Sequence, residues 1–306
     1  MLSEKKGKVQ KGLGGLYEVR LYDGGEAISC RAKGVLKRDE EKVLIGDDVL
    51  VSIDDATPDS VVISEILPRK NALIRPPMSN LDFLFIVFAA AKPAPVLETV
   101  DKLTAIAYHG GIIPVAVITK SDMSEGVAEE LAEIYETAGI ETFVTSSESR
   151  AGLDAISDYI NENVTDGKTA AFAGASGVGK STLMNSLFPS LSLSTGEISR
   201  KIERGRHTTR HVQIFDIENG GFLADTPGFS LVDFARFDFF QIDELLPAFP
   251  DVSRHSSSCR YADCAHVGEG VEDCSVAKAA SEGKISPSRL ESYRSIYRTL
   301  KSKSQY

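Results

Sequence analysis

The sequence has no apolar stretch long enough to cross a membrane. Its longest run, FLFIVFAAA from Phe83 to Ala91, falls far short of the ~20 residues a spanning helix needs. The first ten residues, MLSEKKGKVQ, carry no apolar signal region, so a cytoplasmic protein is expected. Cysteine is scarce as well: four residues in a chain of 306 exclude a disulfide framework in a reducing compartment. Three of them crowd between Cys259 and Cys274, while Cys30 stands alone and reads as a small buried hydrophobe. Basic residues are outnumbered, 34 Lys and Arg against 44 Asp and Glu, and a formal net charge of −10 excludes a surface that binds nucleic acid throughout.

Locally the balance reverses. SRKIERGRHTTR carries Arg200, Lys201, Arg204, Arg206 and Arg210 against Glu203, and the stretch from Lys284 to Lys303 is basic apart from Glu291. Each reads either as a solvated face or as a contact to a polyanion. With 42% apolar residues the chain can bury a real core, and its length allows two or three domains.

Residues 1–70 alternate short β-type runs with glycine turns, as in GLYEVRLYDGGEAISCRAKG and VLIGDDVLVSID, the spacing of a small barrel of the OB type. Pro68, Pro76 and Pro77 mark the boundary. Across residues 71–230, apolar strands such as FLFIVF, IIPVAVIT and TAAFAG alternate with amphipathic helices such as VLETVDKLTAIAYH and GVAEELAEIYETAG. That pattern predicts a doubly wound α/β sheet, with ligands beyond the carboxyl ends of its strands. Residues 231–306 hold an aromatic stretch, a Cys/His cluster and a helix starting at Ser286 and Pro287, whose Leu290, Tyr293, Ile296, Tyr297 and Leu300 form a packing stripe.

Gly174-Ala175-Ser176-Gly177-Val178-Gly179-Lys180-Ser181, followed by Thr182, matches the full phosphate-loop pattern between a strand and a helix. Backbone N–H groups and the helix N-terminus face the phosphates, Lys180 bridges the outer ones, and the Ser181 hydroxyl suits Mg²⁺. Asp225-Thr-Pro-Gly228 ends the next apolar strand; Asp225 suits a water-mediated Mg²⁺ contact and the Gly228 N–H the γ-phosphate. Thr119-Lys120-Ser121-Asp122 is similar to the base-reading loop of GTPases. The Asp122 carboxylate can accept from N1–H and the exocyclic amine of guanine, whereas adenine offers an acceptor there, so GTP and GDP are favoured. Ser146 and Ser147, after the following strand, are placed to bring a backbone N–H to the guanine carbonyl. An ATP-dependent enzyme is disfavoured on the same ground.

The base loops precede the phosphate loop, the order of a circularly permuted GTPase, in which the strands are cut at a different loop without changing which strand ends meet at the ligand. Cys259-x4-Cys264-x-His266-x7-Cys274 supplies three thiolates and an imidazole, a tetrahedral structural Zn²⁺ set with one ion per chain; His255 is the rival fourth ligand.

From the barrel through RPP, TKSD, GASGVGKS, GRHTTR and DTPGF to the cysteines, the chain resembles the bacterial ribosome small-subunit-dependent GTPase (RsgA) family. The resemblance implies an OB-fold barrel, a circularly permuted P-loop GTPase domain and a C-terminal zinc-binding domain. It also implies GTP hydrolysis late in assembly of the small ribosomal subunit, stimulated by that subunit and its rRNA, by a monomer without a membrane partner. It makes Thr208 or Thr209 the switch threonine on Mg²⁺, and puts His207 forward to position the attacking water, against a plain solvated loop histidine. Thr119 stands where many GTPases have Asn, which predicts weaker packing of base loop on phosphate loop, and Ser147 stands where Ala is commoner. Phe229 replaces the glutamine that orients water in many GTPases. The competing class is an RNA-binding scaffold that holds guanine nucleotide without turnover; intact Lys180, Ser181 and Asp225 favour the enzyme.

Overall fold

The computed structural model describes residues 2–34, 42–54, 61–189, 212–225 and 241–303. Five strands, β1 (Leu2–Leu13), β2 (Leu16–Leu21), β3 (Ile28–Ala32), β4 (Asp48–Asp54) and β5 (Val61–Ile66), close a barrel in the order β1-β2-β3-β5-β4, with β4 pairing back onto β1. Alternate residues such as Val49 and Val51 point inward with Val9, Val19, Cys30 and Ile63, the period of two that a one-sided strand requires. Burial pushes the Cys30 thiol up to about 11, so it packs as a hydrophobe, with Sγ donating to the Tyr17 carbonyl at 3.7 Å. The expected OB-type barrel is present.

Strand β1 is nearly all polar in sequence yet lies at the centre of this unit. Lys8 is buried because Asp48 meets its Nζ at 3.0 Å, the Gly46 carbonyl accepts at 3.3 Å, and the Phe222 ring lies 5.5 Å beneath it. Beyond the barrel, β6 (Ala72–Leu73) and β7 (Met78–Ser79) form a small hairpin that includes the cis Arg75–Pro76 bond. This proline-rich segment is pinned to the barrel: the fully buried Asp47 carboxylate accepts from Arg69 Nε at 2.6 Å, Arg69 Nη2 at 2.8 Å and Ser79 Oγ at 2.6 Å.

Alternation of strand and helix follows: β8 (Phe83–Ala89), α1 (Leu97–His109), β9 (Ile113–Thr119), α2 (Val127–Thr137), β10 (Glu141–Val144), α3 (Leu153–Asn163), β11 (Thr169–Ala173), α4 (Lys180–Leu187), β12 (Gln213–Asp216) and β13 (Phe222–Asp225). The sheet order is β10-β9-β8-β11-β13-β12. Every residue of β8 and β11 is buried, which is why both read as unbroken apolar runs. Strand β12, at the edge of the sheet, is antiparallel to β13. Strand order reverses between β8 and β11, the switch point at which doubly wound sheets bind ligands.

Among the described residues that follow are the helices α5 (Pro250–Ser253), α6 (Ser275–Ser281) and α7 (Pro287–Lys303). Helix α7 begins at the predicted proline and buries Leu290, Tyr293, Ile296 and Leu300; side chains of this size contribute about 1.5–3 kcal/mol each when fully buried. The described residues divide between two compact units, one within Met1–Asp82, Asn161–Ala171 and Gly205–Gly228, the other within Phe83–Ile160, Phe172–Arg204 and Phe229–Tyr306. Among the described residues no helix is long and apolar enough to cross a membrane.

Candidate nucleotide site and metal centre

The phosphate loop leaves β11 at Gly174. A Cβ there would lie 2.3 Å from the Val87 carbonyl oxygen, so only glycine lets the loop turn out this close to β8. Gly177 and Gly179 take φ of +83° and +97°, the left-handed bends that curl the loop around its ligand. Lys180 then opens α4, with Ser181 in its first turn; both are half-buried, while Ala175, Ser176 and Thr182 are exposed. Val178 is buried and fixes the loop to the core.

The base loop is fastened directly to it. Thr119, the last residue of β9, is buried, and its hydroxyl donates to the Val178 carbonyl, with the Phe88 carbonyl 3.3 Å away. Lys120, at φ 58°, donates from Nζ to the carbonyls of Gly177 at 2.8 Å and Lys92 at 2.7 Å. Where many GTPases have an asparagine amide, the Thr119 hydroxyl thus bridges to the phosphate loop. Ser121 and Asp122 start a short 3-10 turn, Ser121–Met123, and Asp122 is exposed. Its carboxylate is open to a ligand.

The second base loop joins the first through Ser121 N–H, which donates to the Thr145 carbonyl at 3.2 Å. Ser146 is fully buried and committed within its own loop: its N–H donates to Ala151 O at 3.0 Å, and its Oγ accepts from Ser149 N–H at 3.1 Å. The Ser146 N–H is therefore already engaged within the protein. Asp225 ends β13, half-buried. Gly228, His207, Thr208 and Thr209 lie outside the described residues.

For Mg²⁺ the Ser181 hydroxyl is a fitting donor, since this ion takes hard oxygen ligands.

Cys259, Cys264, His266 and Cys274 bring their ligand atoms within 4.8 Å of one another. His266 Nδ1 lies 3.5, 3.4 and 3.5 Å from the sulfurs of Cys259, Cys264 and Cys274. A tetrahedral Zn²⁺ site with bonds near 2.0–2.3 Å has edges of about 3.5–3.8 Å, so the four residues fit that ion. Burial, outweighing nearby Glu269, lowers the His266 pKa and favours the neutral imidazole that ligation needs. The loop is braced from α7: Tyr293 OH donates to Ala265 O at 3.3 Å and Arg294 Nε to His266 O at 3.0 Å. His255 is not among the four.

Sequence reasoning missed two supports. Lys92 contributes a main-chain carbonyl, which no residue pattern can signal. Arg289 reads as one more charge on a basic helix, yet it is wholly buried between Asp101 and Asp251.

Residues 66–235 match the RsgA GTPase family model and residues 6–60 the RsgA N-terminal domain. A protein of Agathobacter rectalis named small ribosomal subunit biogenesis GTPase RsgA is 37% identical, covering 98% of this chain and 99% of its own. One of the same name from Carboxydothermus hydrogenoformans is 40% identical over 94% of this chain and 95% of its own. Among solved structures, YjeQ from Thermotoga maritima superposes with a TM-score of 0.80 at 29% identity, covering 97% of this chain and 99% of that one. YloQ, described as a circularly permuted GTPase, gives 0.77 at 30% identity, covering 98% and 96%. Matched along nearly its whole length, the chain belongs to the RsgA GTPase family.

Proposed function

We propose that this protein is a cytoplasmic GTPase that acts on the small ribosomal subunit during its biogenesis, late in assembly, as a monomer whose turnover is stimulated by that subunit. The observation that carries the nucleotide chemistry is the pair of ties from Thr119 and Lys120 to Val178 and Gly177, which hold base loop and phosphate loop as one cradle. The three-part division at residues 70 and 230 is part of the same reading, with a barrel and a zinc domain flanking the catalytic part.

In the proposed reaction, water attacks the γ-phosphorus, the bond from it to the β–γ bridging oxygen breaks, and GDP and phosphate leave. Phosphate-loop N–H groups and Lys180 take up charge on the β- and γ-phosphates, and the Gly228 N–H meets the γ-phosphate. Thr208 or Thr209 closes over the site and His207 orients the water. Ser181, with Thr208 or Thr209 and Asp225 through water, would hold a Mg²⁺ ion, which would supply positive charge to the phosphate oxygens. Zn²⁺ is structural, since a closed four-ligand set leaves no open position.

Asp122 sets base choice, and nucleotide competition tests it. GTP should outcompete ATP, and Asp122→Asn should lose GTP and gain xanthosine triphosphate, because xanthine presents an acceptor where guanine has its amine. Equal affinity of the wild type for ATP and GTP overturns the assignment.

A further inference from the structure

His255, the rival for the zinc site, lines a cavity of about 310 Å³ beside the metal cluster instead. The cavity is bounded by the C-terminal end of α5 and by α6 with the turn that follows it. Arg254, Lys278 and Lys284 contribute three permanent cations there, and Glu282 is the one carboxylate, already engaged by Lys284 Nζ at 2.7 Å. The local charge is thus positive in a chain whose formal net charge is −10. Ser257 and Ser258 add hydroxyl donors, and Ala279 is the only apolar residue in the lining.

We infer that this cavity binds a phosphate group, and specifically a backbone phosphate of RNA. A guanidinium fork, two ammonium groups, an imidazole and hydroxyls are the donors that phosphate oxygens take. The cavity is at the small end of ligand pockets, and no Phe, Tyr or Trp side chain lines it as a platform for a base. It therefore reads the backbone and not the sequence. The site is built on a braced frame: Arg254 Nη2 donates to the Ala138 carbonyl at 3.4 Å, and Ser275 Oγ donates to the His255 carbonyl while lying 3.1 Å from Cys259 Sγ. The inference deepens the ribosomal reading, since it supplies that reading with an rRNA contact, and its choice of RNA over free phosphate rests on it.

The test uses the full chain with its metal and a labelled short oligouridylate, whose bases stack poorly. Lys278→Gln/Lys284→Gln should bind this probe about tenfold more weakly, and its log–log salt dependence should be shallower by roughly 0.7–1.4, the value for one or two phosphate contacts on a single strand. Lys301→Gln/Lys303→Gln removes the same charge elsewhere and should leave affinity within about twofold. Inorganic phosphate should shift the His255 ring resonances and compete with the probe. Equal loss in both double variants, or no loss in the first, overturns the proposal. A phosphate shift at His255 with unchanged RNA affinity does so too, by showing a site for free phosphate alone. Retained zinc content and GTP affinity check the fold, and Lys278→Gln alone carries the test if the double variant loses either. Wild type that binds the probe through this pocket but not small subunits overturns the ribosomal reading and leaves the phosphate site standing.

Discussion

Arg289 Nη1 donates to Asp101 Oδ1 at 2.8 Å, joining helices α7 and α1 across 188 positions of sequence. The same guanidinium reaches Asp251 through Nε at 3.1 Å and Nη2 at 2.9 Å, donates to Thr104 Oγ1 at 2.9 Å, and lies 4.9 Å over the Phe249 ring. Burial works against its charge, but Asp101 and Asp251 outweigh that and keep it protonated. Helix α7 therefore holds α1 through Arg289 and the Cys/His loop through Tyr293 and Arg294.

Removing Arg289 leaves two buried carboxylates facing each other without a cation. Arg289→Met should cost about 3–5 kcal/mol in urea unfolding, whereas replacing the whole set, Arg289→Met with Asp101→Leu and Asp251→Leu, should recover much of that loss. An exposed arginine would cost under about 1 kcal/mol, and a value that small would show that the network contributes little.

The metal should be one Zn²⁺ per chain, measurable by elemental analysis. Cys274→Ser and His266→Ala should each release it, and His255→Ala should not, because His255 stands apart from the ligand cluster. Chelation should raise hydrogen exchange across 255–275 while GTP affinity stays near that of the intact protein. Zinc lost from His255→Ala but kept by His266→Ala would reverse the ligand assignment.

Much of this arrangement was legible in the sequence because the physics was local. Continuous apolar runs gave β8, β9 and β11, the glycine spacing gave the phosphate loop, and Pro287 marked the start of α7. Strand β1 was hidden because polar Lys8 and Gln10 are buried, Lys8 by Asp48, a partner distant in sequence, so no hydrophobic alternation announces them. Arg289 was hidden for the same reason: Asp101 and Asp251 decide whether it faces core or solvent. At the candidate nucleotide site, side-chain identities singled out Asp122 and Lys180, but gave no sign that Ser146 is committed to its own loop or that Lys120 reaches the carbonyl of Lys92.

The Thr119 hydroxyl should be worth measuring directly. Thr119→Val keeps the shape and leaves the Val178 carbonyl without its donor, at about 1–3 kcal/mol. If that tie holds the cradle together, GTP affinity should fall roughly 5- to 100-fold with global stability less affected. Thr119→Asn should restore much of it through an amide donor. Unchanged GTP affinity in Thr119→Val would mean the Lys120 bridge alone suffices.

Hydrolysis by the isolated protein should be slow and strongly stimulated by purified small subunits. Phe229 stands where many GTPases carry a water-orienting glutamine, so another group must hold the nucleophile. The family resemblance puts His207 forward, in a glycine-containing segment flanked by Arg204, Arg206 and Arg210, which suit an RNA polyanion. A partner that engages these arginines would complete the site, and partner-supplied groups elsewhere raise turnover by roughly 10³- to 10⁵-fold. His207→Ala should keep GTP affinity but lose most of the stimulation, and the comparison requires single-turnover rates with and without subunits for both proteins. If the wild type is not stimulated, partner activation is wrong. If His207→Ala is stimulated in full, the histidine has no part in the step, and Thr208, Thr209 and Mg²⁺ carry it.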